Sequence, residues 1–371
     1  MCRENGSIEK NRRRPKRRAG TVKSVNLYHF CVHLVTGGSG FLGSLIARQL
    51  ARSGERVRVL DLWDDPGRPR EIEYFGCDIR DRAGVRAAMR GVQVVHHNAA
   101  LVPLTKSGKG FWDVNVNGSA VAAEEAARAG VAAFVHMSSS AVFGVPQSCP
   151  ITTQTPLCPI EIYGRSKLAG EERVRAICQS AKLPLFVIRP RTILAAGRLG
   201  IFQLLFEWIS QSRAVYVIGD CGNAFQFVHA IDLMDAYMLV TKRGRPGNYN
   251  IGTDRFGTLR EALENLVLHA RSSSRIVGLP AAPAMLALRT LDALHLSPLA
   301  PWHYLTCHKP FFFDLSPLRE LGWKAKYSND EMLSESYDWF VTHRGTVGAD
   351  VGATHRATVR ERVLWILRKF S

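Results

Sequence analysis

From Val32 to Arg189 the chain alternates short runs of β-branched and apolar residues with stretches of helical periodicity, and this alternation constrains the fold most. Strands are expected at 32–36, 56–61, 92–96, 133–138 and 185–189, and helices at 43–53, 83–90, 120–129 and 163–181. Strand–helix units of this length form a parallel sheet covered by helices on both faces, because parallel neighbours need a right-handed crossover between them. The expected fold is therefore a doubly wound α/β sheet. Beyond Pro190, residues 191–225 and 254–330 are richer in Pro, Arg and isolated apolar positions, and read as a smaller irregular lobe. A strand at 225–229 and a helix at 231–240 are expected to return to the main sheet.

The first strand runs into Gly37-Gly38-Ser39-Gly40-Phe41-Leu42-Gly43, which opens the first helix. Gly37, Gly40 and Gly43 fit a turn that must be tight, bring backbone close to a pyrophosphate and let the helix pack on the strand. The helix start, with Phe41 and Leu42, offers unpaired N–H groups to the phosphates. Asp61 ends the second strand 18 residues past Gly43, where a carboxylate accepts both adenosine ribose hydroxyls and repels a 2′-phosphate. NAD is therefore expected in preference to NADP, with Arg68 and Arg70 in the following loop as the residues that soften the choice.

Tyr163 and Lys167 stand four residues apart, so on a helix they share a face. A free phenol has a pKa of about 10, and a nearby ammonium favours its ionised form. Tyr163 is then a candidate to exchange a proton with a substrate hydroxyl as hydride moves to or from a nicotinamide, with Lys167 lowering its pKa. Ser139, at the carboxyl end of the 133–138 strand, is placed to hold the reacting oxygen, because ligands of open parallel sheets sit at that edge.

With these elements in order, the chain resembles an extended short-chain dehydrogenase/reductase of the NAD-dependent epimerase/dehydratase and hydroxysteroid dehydrogenase type, over about residues 32–342. The likeness also rests on Cys77-Asp78-Ile79, His97-Asn98-Ala99-Ala100, Asn115-Val116-Asn117-Gly118-Ser119, Arg189-Pro190, Phe225–Asp232, and Asp314 with Leu321-Gly322-Trp323. It implies that Asp78 and Ile79 contact adenine, that Ala99 and Ala100 lie along the cofactor, and that Ser139 rather than Ser140 is the catalytic hydroxyl. It also implies a homodimer formed through two helices. Two departures narrow the chemistry. Ser140 and Ala141 stand where the sugar-nucleotide dehydratases carry an Asp-Glu pair, so dehydration loses its acid and base. Ala224 stands where many nucleotide-sugar epimerases carry a phosphate-binding Arg, leaving Arg191, Arg198 or Arg213 as substitutes.

The leading expectation is an NAD-dependent epimerase or dehydrogenase acting on a secondary alcohol of a nucleotide-sugar. The alternative is a hydroxysteroid-dehydrogenase-like enzyme for a sterol or lipid alcohol, its pocket lined by the apolar stretch 201–209, although that stretch reads more readily as a core helix. A non-catalytic NAD-binding sensor or scaffold is the third, and intact Ser139, Tyr163 and Lys167 argue against it. The formal charge of +17 is concentrated at the ends: residues 1–25 carry net +7 and residues 343–371 net +4. Without an accompanying recognition motif this reads as solvated tail and not as a specific nucleic-acid site. Eight scattered cysteines lack metal-ligand spacing, so no metal is expected and a reducing cytoplasm fits. No transmembrane run is read. The expected layout is a disordered basic tail at 1–26, an NAD-binding domain at 27–190, and a substrate lobe at 191–342, of which 225–252 rejoins the sheet. A basic tail at 343–371 carries an amphipathic helix, 359–370, expected to dock on protein.

Overall fold

The computed structural model describes residues 31–105, 107–294 and 301–344; the basic segment 1–26 and the amphipathic stretch 359–370 lie outside the described residues. The first half runs β1 (Val32–Thr36), α1 (Phe41–Arg52), β2 (Arg56–Asp61), β3 (Glu73–Gly76), α2 (Arg82–Ala88) and β4 (Val94–His97). One-turn α3 (Gly110–Trp112) then widens through a π-helical turn at Asp113–Gly118 into α4 (Ser119–Ala129), followed by β5 (Ala133–Met137), α5 (Ile162–Ser180) and β6 (Leu185–Pro190). Next come β7 (Thr192–Leu194), α6 (Phe202–Ser210), β8 (Val215–Ile218), β9 (Phe227–His229), α7 (Ala230–Arg243) and β10 (Gly247–Ile251). The chain continues with α8 (Leu259–His269), β11 (Ile276–Leu279), α9 (Ala281–Ala293), α10 (Pro301–Thr306), α11 (Ser316–Glu320) and α12 (Asn329–His343).

Seven strands form one parallel sheet in the order β10-β6-β5-β4-β1-β2-β3. The order reverses between β1 and β4, and in such sheets the crevice at the carboxyl ends beside that reversal is the natural ligand site. Strand residues alternate between two cores. Val35 of β1 joins Ile46 and Leu50 of α1 and Leu233 and Ala236 of α7 on one face. Leu34 joins Val85 of α2, Ala122 and Ala126 of α4 and Val174 of α5 on the other. Both cores contain histidine. His33 and His96 bond one another at 2.9 Å and His96 reaches the Tyr237 hydroxyl at 2.6 Å, while His97 and His136 stack on the α4 side with centroids 5.5 Å apart.

Two expectations about the second half are corrected. The strand at Phe227–His229 does not return to the main sheet; it pairs with Thr192–Leu194 in a separate two-stranded sheet. The place at the sheet edge goes to Gly247–Ile251, which pairs with β6 from Phe186 to Pro190. Pro190 is the divergence point: the Arg191 N–H still donates to the Ile251 carbonyl at 2.8 Å, after which the chain leaves for β9. The lobe also holds more sheet than expected, since β8 and β11 form a further parallel pair. Edge strand β3 carries no alternation and was not foreseen.

The apolar stretch at 201–209 is mainly a core helix, and its first two residues, Ile201 and Phe202, also line the cavity at the carboxyl end of the sheet. Phe202, Phe206 and Ile209 of α6 are buried, and Phe206 packs against Tyr337 and Phe340 of α12. Capping boxes at Thr258 and Ser328 fix the starts of α8 and α12. Among the described residues no helix is long and apolar enough to cross a membrane.

Candidate active site

A cavity of about 510 Å³ opens at the carboxyl end of the sheet. Its walls include Gly37, Gly40, Phe41, Leu42, Asp61, Asp78, Ile79, Ala99, Ala100, Ser139, Tyr163 and Lys167, so nearly all the residues singled out in the sequence meet there. Gly43 does not border it. A Cβ at Gly43 would lie 1.9 Å from the Gly37 carbonyl oxygen, so this glycine serves the closure of the turn and not the cavity wall. Gly37 has φ of +66°, and a Cβ there would meet the Ala99 backbone at 2.8 Å.

The turn fits a dinucleotide. Bare glycine backbone and the start of α1, whose N-cap Gly40 supplies no side-chain cap, face the cavity. Asp61 is oriented by two backbone donors, Ser39 N–H to Oδ2 at 3.0 Å and Leu62 N–H to Oδ1 at 2.7 Å. Burial pushes its pKa up and these two donors oppose the shift. Each oxygen keeps a lone pair for a ribose hydroxyl. Arg68 does not soften this carboxylate, because its guanidinium is held by Asp64 at 2.6 Å, and neither Arg68 nor Arg70 lines the cavity. Asp78 is paired with Arg80 at 2.6 Å, which lowers its pKa, and Ile79 packs where a Cβ on Gly118 would intrude.

At the other end, α5 begins with Glu161 as N-cap, its carboxylate accepting the Tyr163 N–H at 2.7 Å and the Gly164 N–H at 2.6 Å. This start seats Tyr163 on the cavity wall with Ser139, whose hydroxyl accepts the Ala141 N–H at 3.1 Å. Asn115, in the π-helical turn, braces the region: its side chain bonds both backbone groups of Leu101 and donates to Ser166 at 3.1 Å.

The electrostatics depart from the sequence expectation. Burial pushes the Tyr163 phenol up to about 12; the Ser139 hydrogen bond pulls it down, the Glu161 carboxylate raises it and Arg198 lowers it. Lys167 is not among the charges acting on the phenol. Its Nζ donates to the Met137 carbonyl at 2.6 Å, and burial lowers it to about 8 against the opposing pull of Glu171. In this form Tyr163 is a neutral phenol at pH 7.

Arg198 stacks on Phe41 at 5.2 Å, and Arg191 also borders the cavity, whereas Arg213 and Ala224 do not. Trp63, Thr192 and Trp302 line the cavity as well, though no motif marked them.

A family model described as the NAD dependent epimerase/dehydratase family matches residues 33–252. An uncharacterised Sinorhizobium fredii protein, y4nG, is 42% identical over 336 residues, covering 90% of this chain and 85% of its own. A UDP-glucose 4-epimerase of Streptomyces lividans is 27% identical over 342 residues, covering 84% of this chain and 96% of its own. Among solved structures, the Thermotoga maritima UDP-glucose 4-epimerase with UDP-glucose superposes with a TM-score of 0.70 at 22% identity, covering 84% of this chain and 99% of that one. The match to the family model extends from β1 through the glycine turn, Ser139, Tyr163 and Lys167 to the last strand of the main sheet, and the chain is a member of the NAD dependent epimerase/dehydratase family, an enzyme whose cofactor is NAD.

Proposed function

We propose that this enzyme epimerises a secondary alcohol of a nucleotide-sugar, with Tyr163 as acid/base, Ser139 positioning the reacting oxygen and Lys167 holding the cofactor ribose. The observation that carries the reading is one cavity lined both by Asp61 and the glycine turn and by Ser139, Tyr163, Lys167 and two arginines. Asp61 carries a carboxylate shaped for ribose hydroxyls, and Arg191 and Arg198 share the cavity wall with Ser139 and Tyr163. Two guanidiniums on the cavity wall favour an anionic substrate, which a nucleotide diphosphate supplies. A sterol would leave both unpaired, at the cost of burying uncompensated charge. Gly37, Gly40, the α1 start, Asp61, Asp78, Ile79, Ala99 and Ala100 would hold NAD, which supplies a hydride acceptor and donor when bound.

The chain's own residues handle the proton. Ser139 holds the substrate oxygen against Tyr163, and the phenol gives or takes the proton there. Moving the phenol from about 12 to a pKa near 7 corresponds to roughly 7 kcal/mol of differential stabilisation. Ser139 and Arg198 already act in that direction, and turning the Lys167 ammonium from Met137 towards the ribose and phenol adds to it. The similarity to the Streptomyces lividans epimerase supports the same substrate class.

An epimerase must recover the hydride it removed, so the purified protein is expected to retain NAD(H) through desalting. It is also expected to interconvert UDP-sugar epimers with no cofactor added. Protein that emerges empty and turns over only with a stoichiometric supply of NAD would establish net dehydrogenation instead.

A further inference from the structure

Away from the cavity, β11 and α9 carry apolar surface that the described residues leave open. Ten of the thirteen residues of α9 are apolar, yet none from Ala281 to Asp292 is buried. Ala282, Pro283, Leu286 and Ala287 form one exposed face at helical spacing, with Leu286 at 68% exposure. Leu279 and Val277 of β11, which leads into the helix, are 37% and 36% exposed. A helix that is apolar on every side belongs inside a protein or against lipid. Here α9 rests on β8 and α10, and among the described residues nothing covers its outer face.

Charge decides what covers it. Residues 271–294 carry Arg271, Arg275 and Arg289 against Asp292, and all three arginines are exposed. Arg289 stands three residues from Leu286, at the rim of the same face. The apolar positions of segment 359–370 are likewise set among Arg360, Arg362, Arg368 and Lys369, against Glu361. That segment follows α12 in the same lobe. Arg344 pairs with Glu207 of α6, Trp208 packs edge-on against Tyr216 of β8, and β8 pairs with β11. Residues 345–358 can span up to roughly 45 Å, which is ample reach from there.

Like charges oppose closure of this basic segment over an arginine-rimmed face, and oppose a second copy there too. An anionic lipid surface complements both at once. Arginines meet the headgroup phosphates while apolar side chains enter the acyl boundary, and two such signals give firmer attachment than one. We propose that the β11–α9 face is a docking surface for anionic lipid, with segment 359–370 as the second point of attachment.

The test is co-sedimentation of the full chain with vesicles of phosphatidylcholine, alone or mixed with an equal part of phosphatidylglycerol. The wild type is expected to bind the mixed vesicles at least about 10-fold more tightly than the neutral ones, and to be released by high salt. Leu279→Gln combined with Leu286→Gln keeps the net charge. It is expected to weaken binding to mixed vesicles about 10-fold or more and to leave thermal unfolding unchanged. Val363→Gln combined with Leu367→Gln is expected to weaken it as well. A wild type that does not sediment with the mixed vesicles overturns the proposal, as does equal binding to both kinds. Affinity unchanged by the Leu279 and Leu286 substitutions also overturns it, assigning attachment to the basic segments alone. A lowered unfolding temperature in that variant would show that protein covers this face. The cover is a second copy if the fall depends on protein concentration and the chain's own segment if it does not, and either result overturns the lipid assignment.

Discussion

Tyr163→Phe is expected to lower kcat/KM by roughly 10³-fold while leaving NAD retention unchanged. The phenol is buried, and burial pushes its pKa up to about 12, so at pH 7 it carries its proton. Removing its oxygen takes away the proton carrier and keeps the ring that packs edge-on against Phe111, with centroids 5.9 Å apart. The two effects separate cleanly in measurement. Thermal unfolding and bound NAD(H) absorbance report the fold, and steady-state turnover reports the oxygen. A variant with full activity would remove Tyr163 from the chemistry and leave Ser139 and Lys167 without a partner to serve.

Acidification is expected to destabilise the cofactor-free protein steeply. Burial holds His33 at about 4 and His97 at about 3, and keeps His96 and His136 well below the ordinary histidine value. Both ring nitrogens of His136 lack a hydrogen-bond partner among the described residues, so a proton there would be uncompensated. Because these folded pKa values are depressed, the stability they contribute is complete above pH 6.5 and is lost as pH falls towards 4. Each ring withholds a proton that the unfolded chain accepts, worth about 1.4 kcal/mol per pH unit, so four rings together remove about 5 kcal/mol per unit. That is a large part of a typical domain's total stability. Urea unfolding between pH 7 and 5 measures it, and because burial also holds His229 at about 4, His136→Leu is expected to reduce the slope by about a fifth. Unfolding free energy that stays flat over this range would show that the four rings take up protons without cost.

Local chemistry was legible in the sequence wherever adjacent residues make it. The glycine turn, Asp61 and the Tyr163/Lys167 spacing each act within one strand–helix unit, and strands β1 and β2 occupy their expected bounds. Pairing across distance was not legible. Gly-Asn-Tyr-Asn-Ile at 247–251 has little strand character of its own, and becomes an edge strand because β6 offers an open ladder there. Phe227–His229 has better strand composition and is drawn to β7 instead. The surroundings of the Tyr163 phenol were not legible for a related reason. Spacing on a helix places Lys167 on the same face, but burial and the Met137 carbonyl decide where its ammonium points. Arg191 likewise gains its meaning from Phe225 and Phe311, which lie 34 and 120 residues further along the chain.

The most direct test of hydride transfer at Tyr163 is the fate of deuterium placed on the reacting carbon of a UDP-sugar substrate. Removal and return of hydride on one bound cofactor is expected to leave the deuterium on that carbon in the epimerised product, in ordinary water and with no cofactor added. Deuterium lost to solvent would mean that the carbon is deprotonated, and the NAD-dependent account of this site would be wrong.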